Sequence, residues 1–304
     1  MQKVASRALE KKNHDINYTI SIIIPTFNRA KLLARSLQSI LNQNYEEWEV
    51  IIIDNFSEDN TEQIIRGFKN KKIIYKKFHN NGSIAKSRNE AIKISTGNYI
   101  AFLDSDDWWK PYKLTKCIEA FKNNSDLSII YHNCIITDGK KNKNSKCRVL
   151  RKNTYDDLIC NGNTLITSSV IIRKDILQKV GLFNDSRDYL GWEDYDLWIR
   201  IAKANFKFKF IKNVLGYYWN DESSYDNPDR ILLNLDLIEK NILNAYKKSN
   251  MAANVWWIHY TRGINYAKKK NRKDALMSFV KILSINSPFI YKLKSFYYLF
   301  FKIW

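Results

Sequence analysis

The sequence lacks the patterns of a disulfide-bonded secreted protein and of a membrane-spanning protein. Its four cysteines form neither a C-x-x-C pair nor a zinc-binding spacing, so we expect reduced thiols of the kind found in the cytosol. The N-terminus has no apolar core of a signal peptide. No run of about 18 apolar residues is present, so the sequence predicts a cytoplasmic protein without a spanning helix.

Two glycine-rich nucleotide-binding signatures are also missing. The first apolar strand runs into P-T-F-N-R-A at residues 25–30, where a dinucleotide-binding fold would carry G-x-G-x-x-G. No G-x-x-x-x-G-K-[ST] loop occurs anywhere in the chain. A bound diphosphate must therefore be held by side chains and a metal ion rather than by glycine backbone.

Acidic residues are scarce near the C-terminus. The 304 residues carry a formal charge of +19, and Lys240–Trp304 contains 13 Lys or Arg but one acid, Asp274. Such an excess suits an anionic membrane surface, nucleic acid or phosphorylated substrates. The length allows one large domain with an appendage, and we expect a flexible leader over 1–17, a main domain over 18–225 and a basic, aromatic helical region over 226–304.

The first half of the chain alternates apolar strands with amphipathic helices. Strands are predicted at Tyr18–Ile24, Trp48–Ile53, Lys72–Phe78 and from Tyr99, and helices at Ala30–Leu41, after a cap at Ser57 or Asp59, and at Ser83–Ile94. This order predicts an α/β fold with a mainly parallel central sheet flanked by helices. Ligands bind such sheets at the carboxyl ends of the strands.

Two acidic clusters stand out against this pattern. The strand from Tyr99 ends in Asp104, Asp106 and Asp107, and close carboxylates raise each other's pKa or recruit a cation such as Mg²⁺ or Mn²⁺. The alternative to a cation site is that these three acids belong to a polar turn and are simply solvated. Glu193-Asp194 begins a predicted helix, where acids serve either as N-terminal caps or as catalytic groups.

Five sequence blocks, in this order, resemble the family 2 glycosyltransferases of the GT-A fold. They are S-I-I-I-P-T-F-N-R at 21–29, V-I-I-I-D-N-F-S-E-D-N-T at 50–61, A-K-S-R-N at 85–89, G-N-Y-I-A-F-L-D-S-D-D-W at 97–108 and G-W-E-D-Y-D-L-W at 191–198. The resemblance covers roughly residues 19–219. It implies transfer of a sugar from a nucleotide-sugar, usually with inversion and without an enzyme nucleophile.

Carried over position by position, the resemblance implies a set of site residues. Those implied to bind the nucleotide-sugar are Pro25, Thr26, Phe27, Arg29, Asp54, Asn55, Arg88, Asp104, Ser105 and Asp106. It implies Mn²⁺ or Mg²⁺ at Asp106 and Asp107, and Asp194, with Glu193 beside it, as the base that deprotonates the acceptor hydroxyl. Three tryptophans either stack on sugar faces or simply pack: Trp108, Trp109 and Trp192.

The expected function is therefore that of a metal-dependent, inverting hexosyltransferase. We expect a UDP-hexose or UDP-N-acetylhexosamine donor and a lipid-diphosphate-linked glycan acceptor, in the synthesis of a surface polysaccharide such as an O-antigen. The aromatic, lysine-bearing Phe289–Trp304 predicts peripheral binding to the anionic inner face of the cytoplasmic membrane, unless it packs on the main domain. No nucleic-acid partner is expected.

The rival hypotheses are a non-catalytic basic membrane- or nucleic-acid-binding protein on a degenerate GT-A scaffold, and a hydrolase that uses Asp104 and Asp194.

Overall fold

The structure, a computed structural model, describes residues 18–145, 147–220, 227–247 and 255–301. The predicted leader at 1–17 and the last three residues of the predicted aromatic tail lie outside the described residues. The boundary predicted near residue 225 lies outside them as well.

The strands of the first half form the parallel part of the sheet, as the sequence predicts. They are β1 (Ile20–Thr26), β2 (Trp48–Asp54), β3 (Ile73–Lys77) and β4 (Tyr99–Phe102), in the order β3-β2-β1-β4. The helices between them are α1 (Ala30–Leu41), α2 (Thr61–Gly67) and α3 (Ile84–Ile94). The isoleucine runs of β1 and β2 are buried because helices cover both faces of the sheet.

The second half of the sheet is mixed rather than parallel. Its strands are β5 (Trp108–Trp109), β6 (Leu127–Thr137), β7 (Asn142–Asn144), β8 (Ile171–Arg173) and β9 (Lys207–Trp219). The strand β8 lies antiparallel between β4 and β6, while β9 is parallel to β6 and antiparallel to β5. Strand β9 continues over its full length because the pairing with β6 shifts register on either side of Asn133.

Helices on the two faces of the sheet enclose two hydrophobic clusters. The remaining helices of this part are α4 (Lys113–Asn123), α5 (Thr154–Asn161), α6 (Lys174–Val180) and α7 (Glu193–Lys203). Successive β4 residues alternate, with Phe102 in the cluster under α3 and α7 and Ala101 in the cluster under α1 and α4. The sequence analysis missed α5, although the Asn153 side chain caps it by accepting from the Asp156 N–H.

The C-terminal region folds into helices attached to the rest through α5. They are α8 (Pro228–Lys247), α9 (Trp256–Lys268), α10 (Arg272–Ser284) and α11 (Phe289–Phe301). The indole of Trp257 donates to the Ile159 carbonyl at 2.9 Å. Gly263 lets α9 and α10 approach closely, since a Cβ there would lie 2.7 Å from the Phe279 ring.

The outer faces of α10 and α11 are apolar and exposed, whereas Ser295 and Leu299 on the inner face of α11 are buried. The exposed apolar side chains are Leu276, Met277, Val280 and Leu283 on α10, and Phe289, Ile290, Leu293, Phe296, Tyr297, Phe300 and Phe301 on α11. We call this surface the α10–α11 face. No helix in the described part of the chain is both long and apolar enough to cross a bilayer.

One lysine is buried without a hydrogen-bonding partner. Lys113 begins α4, its side chain is fully buried, and its Nζ lies 3.5 Å from the centroid of the Trp109 ring. No hydrogen bond to Nζ is present among the described residues. Burial lowers the pKa of Lys113 to about 7, so folding disfavours its charged form.

We predict that Lys113→Met stabilises the protein. At pH 7 or below, the free energy of unfolding should rise by about 1–4 kcal/mol, the scale seen when buried charged groups give way to apolar ones. Because the folded-state pKa is depressed, wild-type stability rises with pH between about 7 and 10, so the advantage of the variant should shrink over that window. Urea denaturation at several pH values measures this. Lys116→Met on the exposed face of α4 is the control, and an equal effect there would contradict the prediction.

Candidate active site

The loops that follow β1, β2 and β4 meet at one edge of the sheet. Thr26 lies in register with Asp54, and the Asn55 N–H donates to the Thr26 carbonyl at 3.0 Å. Together with the start of α3 they enclose a cavity of about 460 Å³, which we call the Asp106 cavity. Eight of the residues implied for nucleotide-sugar binding line it: Pro25, Thr26, Phe27, Arg29, Asn55, Asp104, Ser105 and Asp106.

Asp54, in contrast, lies behind the wall of this cavity. Its side chain is fully buried, and one carboxylate oxygen accepts from the N–H and the hydroxyl of Ser57, at 3.0 and 2.6 Å. The other oxygen accepts from the Tyr75 hydroxyl at 2.6 Å. In this structure, Asp54 fixes the loop after β2, and Asn55 is the member of the pair that lines the cavity.

A second cavity, of about 550 Å³, continues from the first. It contains Glu193 and Asp194, and we call it the Asp194 cavity. The two cavities share Arg29, Gly82, Ile84, Asp104 and Arg230, so they are adjoining parts of one cleft. The structure therefore brings together two acidic clusters that the sequence separates by about ninety residues.

Arg88 on α3 connects the two clusters. Its buried guanidinium donates to Asp104 Oδ1 at 2.7 Å and to Glu193 Oε1 at 2.9 Å. The second Glu193 oxygen accepts from the Gly191 N–H at 2.8 Å. Both oxygens of Glu193 are thus engaged in holding the cleft together, one of them in the ion pair with Arg88.

The carboxylate of Asp194 is oriented by two short hydrogen bonds. Oδ2 accepts from the Thr167 hydroxyl at 2.7 Å, and Oδ1 accepts from the Tyr195 N–H at 2.6 Å. Burial, followed by the charge of Glu193, raises the pKa of Asp194 to about 6. A carboxylate that titrates near neutrality can accept a proton efficiently, so the geometry favours Asp194 over Glu193 as a general base.

The acids after β4 do not all face the cleft. Asp106 forms an ion pair with Arg29, and burial together with the charge of Asp104 raises its pKa. Asp107 points into the protein, where its Oδ1 accepts from the Trp219 N–H at 2.7 Å, and it lines neither cavity. The predicted metal pair Asp106–Asp107 is therefore not presented together. The pair that lines the cleft is Asp104 and Asp106.

The three tryptophans predicted as sugar-stacking candidates are placed inside the protein. Trp108 lies between the Arg35 guanidinium, 3.6 Å from its ring centroid, and the Tyr217 ring at 4.7 Å. The other two are buried, and their indoles donate to backbone carbonyls: Trp109 to Ser168 and Trp192 to Asp188. None of the three lines either cavity, and their contacts are those of packing residues.

The acids of the cleft suit a metal that is shared with a ligand. No group of three or more His, Cys, Asp or Glu within the described residues is arranged to hold a metal alone. Mg²⁺ and Mn²⁺ prefer oxygen donors, and Mg²⁺ commonly takes one or two carboxylates plus substrate phosphates. Asp104 and Asp106 supply such donors, and a cation would offset the burial and the Asp104 charge that together raise the pKa of Asp106.

The sequence analysis missed Arg230, which lies in the first turn of α8 and lines both cavities. Unlike Arg29 and Arg88, its guanidinium has no hydrogen-bond or ion-pair partner among the described residues. Gly191 lets α8 approach the cleft, since a Cβ at Gly191 would lie 2.8 Å from Asn234 Nδ2. The sequence signal that could have placed Arg230 in the first turn of a helix was the cap at Asn227. The Asn227 Oδ1 accepts from the Arg230 N–H and fixes the start of α8 there.

Comparisons with known proteins identify the family and the fold of the chain. The family model "Glycosyl transferase family 2" matches residues 21–181. The chain is 34% identical over 193 residues to the Escherichia coli UDP-Glc:alpha-D-GlcNAc-diphosphoundecaprenol beta-1,3-glucosyltransferase WfgD, covering 62% of this chain and 72% of that protein.

Two solved structures are similar in fold. Residues 1–349 of S. aureus TarS, in complex with UDP-GlcNAc, match with a TM-score of 0.61 and 18% identity, over 88% of this chain and 81% of that one. The mannosyltransferase PcManGT from Pyrobaculum calidifontis, with GDP-Man and Mn²⁺, matches with a TM-score of 0.61 and 14% identity, over 99% and 89%. The GT-A fold predicted from the sequence is confirmed.

Proposed function

The chain belongs to glycosyl transferase family 2, and from this we propose that it moves a hexose or N-acetylhexosamine from a UDP-sugar to a hydroxyl of a lipid-diphosphate-linked glycan. The transfer inverts the anomeric carbon and serves the synthesis of a surface polysaccharide such as an O-antigen. The observation that carries the proposal is the single cleft that joins the acids after β4 to Asp194. The E. coli relative, whose name specifies a UDP-sugar and a diphosphoundecaprenol acceptor, supports the choice of substrates.

In this proposal the Asp106 cavity receives the nucleotide. Thr26 and Asn55, at adjacent strand ends, contact the base and ribose. Arg230 reaches the diphosphate, because an arginine that has no partner among the described residues is available for paired hydrogen bonds to phosphate oxygens. Asp104 and Asp106 would hold Mg²⁺ or Mn²⁺ together with the diphosphate. The chemistry that the metal supplies is neutralisation of the charge on the leaving nucleoside diphosphate.

Asp194 acts as the general base. Its hydrogen bonds from Thr167 and from the Tyr195 N–H hold the carboxylate in the Asp194 cavity, where it takes the proton of the acceptor hydroxyl. The hydroxyl oxygen forms a bond to the anomeric carbon as the bond to the diphosphate oxygen breaks on the opposite face. One displacement inverts the configuration. Glu193 stays paired with Arg88 and acts by positioning the loop and by raising the pKa of Asp194.

We predict that Asp194→Asn lowers turnover by about 10²-fold or more, the usual scale for loss of a general base, while UDP binding is retained. In the wild type, kcat/KM should fall as the pH drops below about 6, because protonated Asp194 cannot accept the proton. Transfer assays with a panel of UDP-sugars between pH 5 and 8, together with calorimetric titration of UDP, measure both effects.

The matched control is Asp188→Asn, a change of the same kind at an exposed position outside both cavities. A near-normal Asp194→Asn combined with an inactive Glu193→Gln would move the base to Glu193. Absence of transfer from every UDP-sugar by the wild type would reject the proposed activity itself.

The second prediction concerns the metal. EDTA should abolish transfer, and added Mn²⁺ or Mg²⁺ should restore it. Asp106→Asn should weaken Mn²⁺-dependent UDP binding, because it removes a cleft carboxylate. Asp107→Asn should preserve that binding, because an amide oxygen can still accept from the Trp219 N–H. Calorimetry with and without Mn²⁺ measures the difference, and full activity in EDTA would contradict metal dependence.

We also propose that the α10–α11 face binds the inner surface of the cytoplasmic membrane. The face combines exposed aromatic and aliphatic side chains with exposed basic residues, including Arg272, Lys273, Lys281 and Lys294. Aromatic rings favour the lipid boundary, and each basic residue near an anionic surface contributes about 1 kcal/mol. The buried inner face of α11 packs on α10, which leaves the exposed outer face for the proposed membrane contact.

We predict that the double variant Phe296→Glu, Phe300→Glu no longer floats with vesicles of phosphatidylethanolamine and phosphatidylglycerol at low salt. The two carboxylates remove apolar area and add charge that the anionic surface repels. Leu233→Glu, at a similarly exposed apolar position on α8, should float like the wild type. Flotation of the double variant equal to that of the wild type, or no flotation of the wild type, would contradict membrane binding through this face.

A further inference from the structure

A third cavity, of about 670 Å³, adjoins the cleft. It shares Asn163, Leu165 and Ile166 with the Asp194 cavity. Its lining also contains Trp256 at the start of α9, and Pro288 and Tyr291 around the start of α11. One part of its wall therefore adjoins the cavity that contains the candidate base. Another part is formed at the start of α11, which carries part of the α10–α11 face. We call this third cavity the Arg151 groove.

Among the described residues that line the groove, Arg151 is the cation with the fewest ties to the protein. Asp157 is buried, and its Oδ1 accepts from the Asn161 side chain at 2.6 Å. Arg148 is committed to the protein, since its Nη2 donates to the carbonyls of Asp157 and Gly162 at 3.2 and 2.7 Å. Arg151 is different, because its side chain is 79% exposed and its ion pair with Asp157 is long, with Nε 3.8 Å from Oδ1, beyond hydrogen-bond distance.

The proposed acceptor sets a geometric requirement that this groove meets. In a sugar joined to a lipid through a diphosphate, the anionic diphosphate lies one sugar ring away from the reacting hydroxyl. A cation-bearing recess must therefore adjoin the base on the side from which the lipid arrives. The Asp106 cavity cannot serve, because the donor diphosphate is proposed to lie there and like charges repel.

On the premise of the proposed function, we propose that the Arg151 groove binds the diphosphate of the lipid-linked acceptor. Arg151 supplies charge-assisted hydrogen bonds to the phosphate oxygens. The sugar attached to the diphosphate passes Asn163 and places its hydroxyl at Asp194, while the lipid leaves toward the first turn of α11 near Tyr291. The groove thus selects acceptors that carry a diphosphate.

The test compares two synthetic acceptors, an alkyl-linked N-acetylglucosamine α-diphosphate and the alkyl glycoside of the same sugar without phosphate. Arg151→Glu should raise the KM of the diphosphate acceptor at least about 10-fold, the scale expected for a charge-assisted contact. The KM of the UDP-sugar and the KM of the glycoside should not change. Arg151→Lys should restore part of the loss. The matched control is Lys152→Glu, the same charge reversal at the next residue, which does not line the groove.

Two results would overturn the proposal: a wild-type KM for the diphosphate acceptor in Arg151→Glu, or a wild-type protein that uses the glycoside as well as the diphosphate. Calorimetric titration of both acceptors into UDP-loaded protein makes the same comparison without turnover. A wild type that binds the diphosphate acceptor through Arg151 but transfers no sugar would reject the proposed activity and retain the groove. Equal binding by wild type and Arg151→Glu would reject the groove whatever the activity.

Discussion

The buried guanidinium of Arg88 is the interaction on which the cleft depends. It holds Asp104 at the end of β4 and Glu193 at the start of α7, elements that no strand pairing connects. A buried charge deprived of its partners costs several kcal/mol, so the positions of α3, β4 and α7 are fixed relative to each other. Arg88 hydrogen-bonds one acid of each cluster, and a neighbouring acid of each cluster, Asp106 and Asp194, lines the cleft outside those hydrogen bonds.

The sequence was sufficient to predict the parallel half of the sheet and the edge where the site lies. Long β-branched runs fit only strands buried on both faces, and the carboxyl ends of such strands converge. It was not sufficient to orient the side chains after β4. Asp107 turns inward because its partner is the Trp219 N–H, and Trp108 is covered by Arg35, both of which are distant in the sequence. The sequence of the loop after β4, rich in acids and tryptophan, does not reveal which of these side chains face the cleft.

The C-terminal region shows the same limit. Its charge and aromatic content indicated an interaction with an anionic surface, but not that α8 returns to the cleft and brings Arg230 with it. That return depends on tertiary packing, with Gly191 at a φ of +88° leaving space for Asn234 of α8. Periodicity identifies a helix and its apolar face, whereas the docking of a helix depends on its partner surface.

Gly162 has a consequence that reaches beyond its own turn. It ends α5 with a φ of +74°, and a Cβ there would lie 3.0 Å from the Trp257 ring of α9. The next few residues lead to Thr167, which orients Asp194. The position of the C-terminal helices and the orientation of the Asp194 carboxylate therefore both depend on the turn at Gly162. A side chain at Gly162 would disturb both. We therefore expect Gly162 to tolerate no substitution, although it lines neither cavity of the cleft.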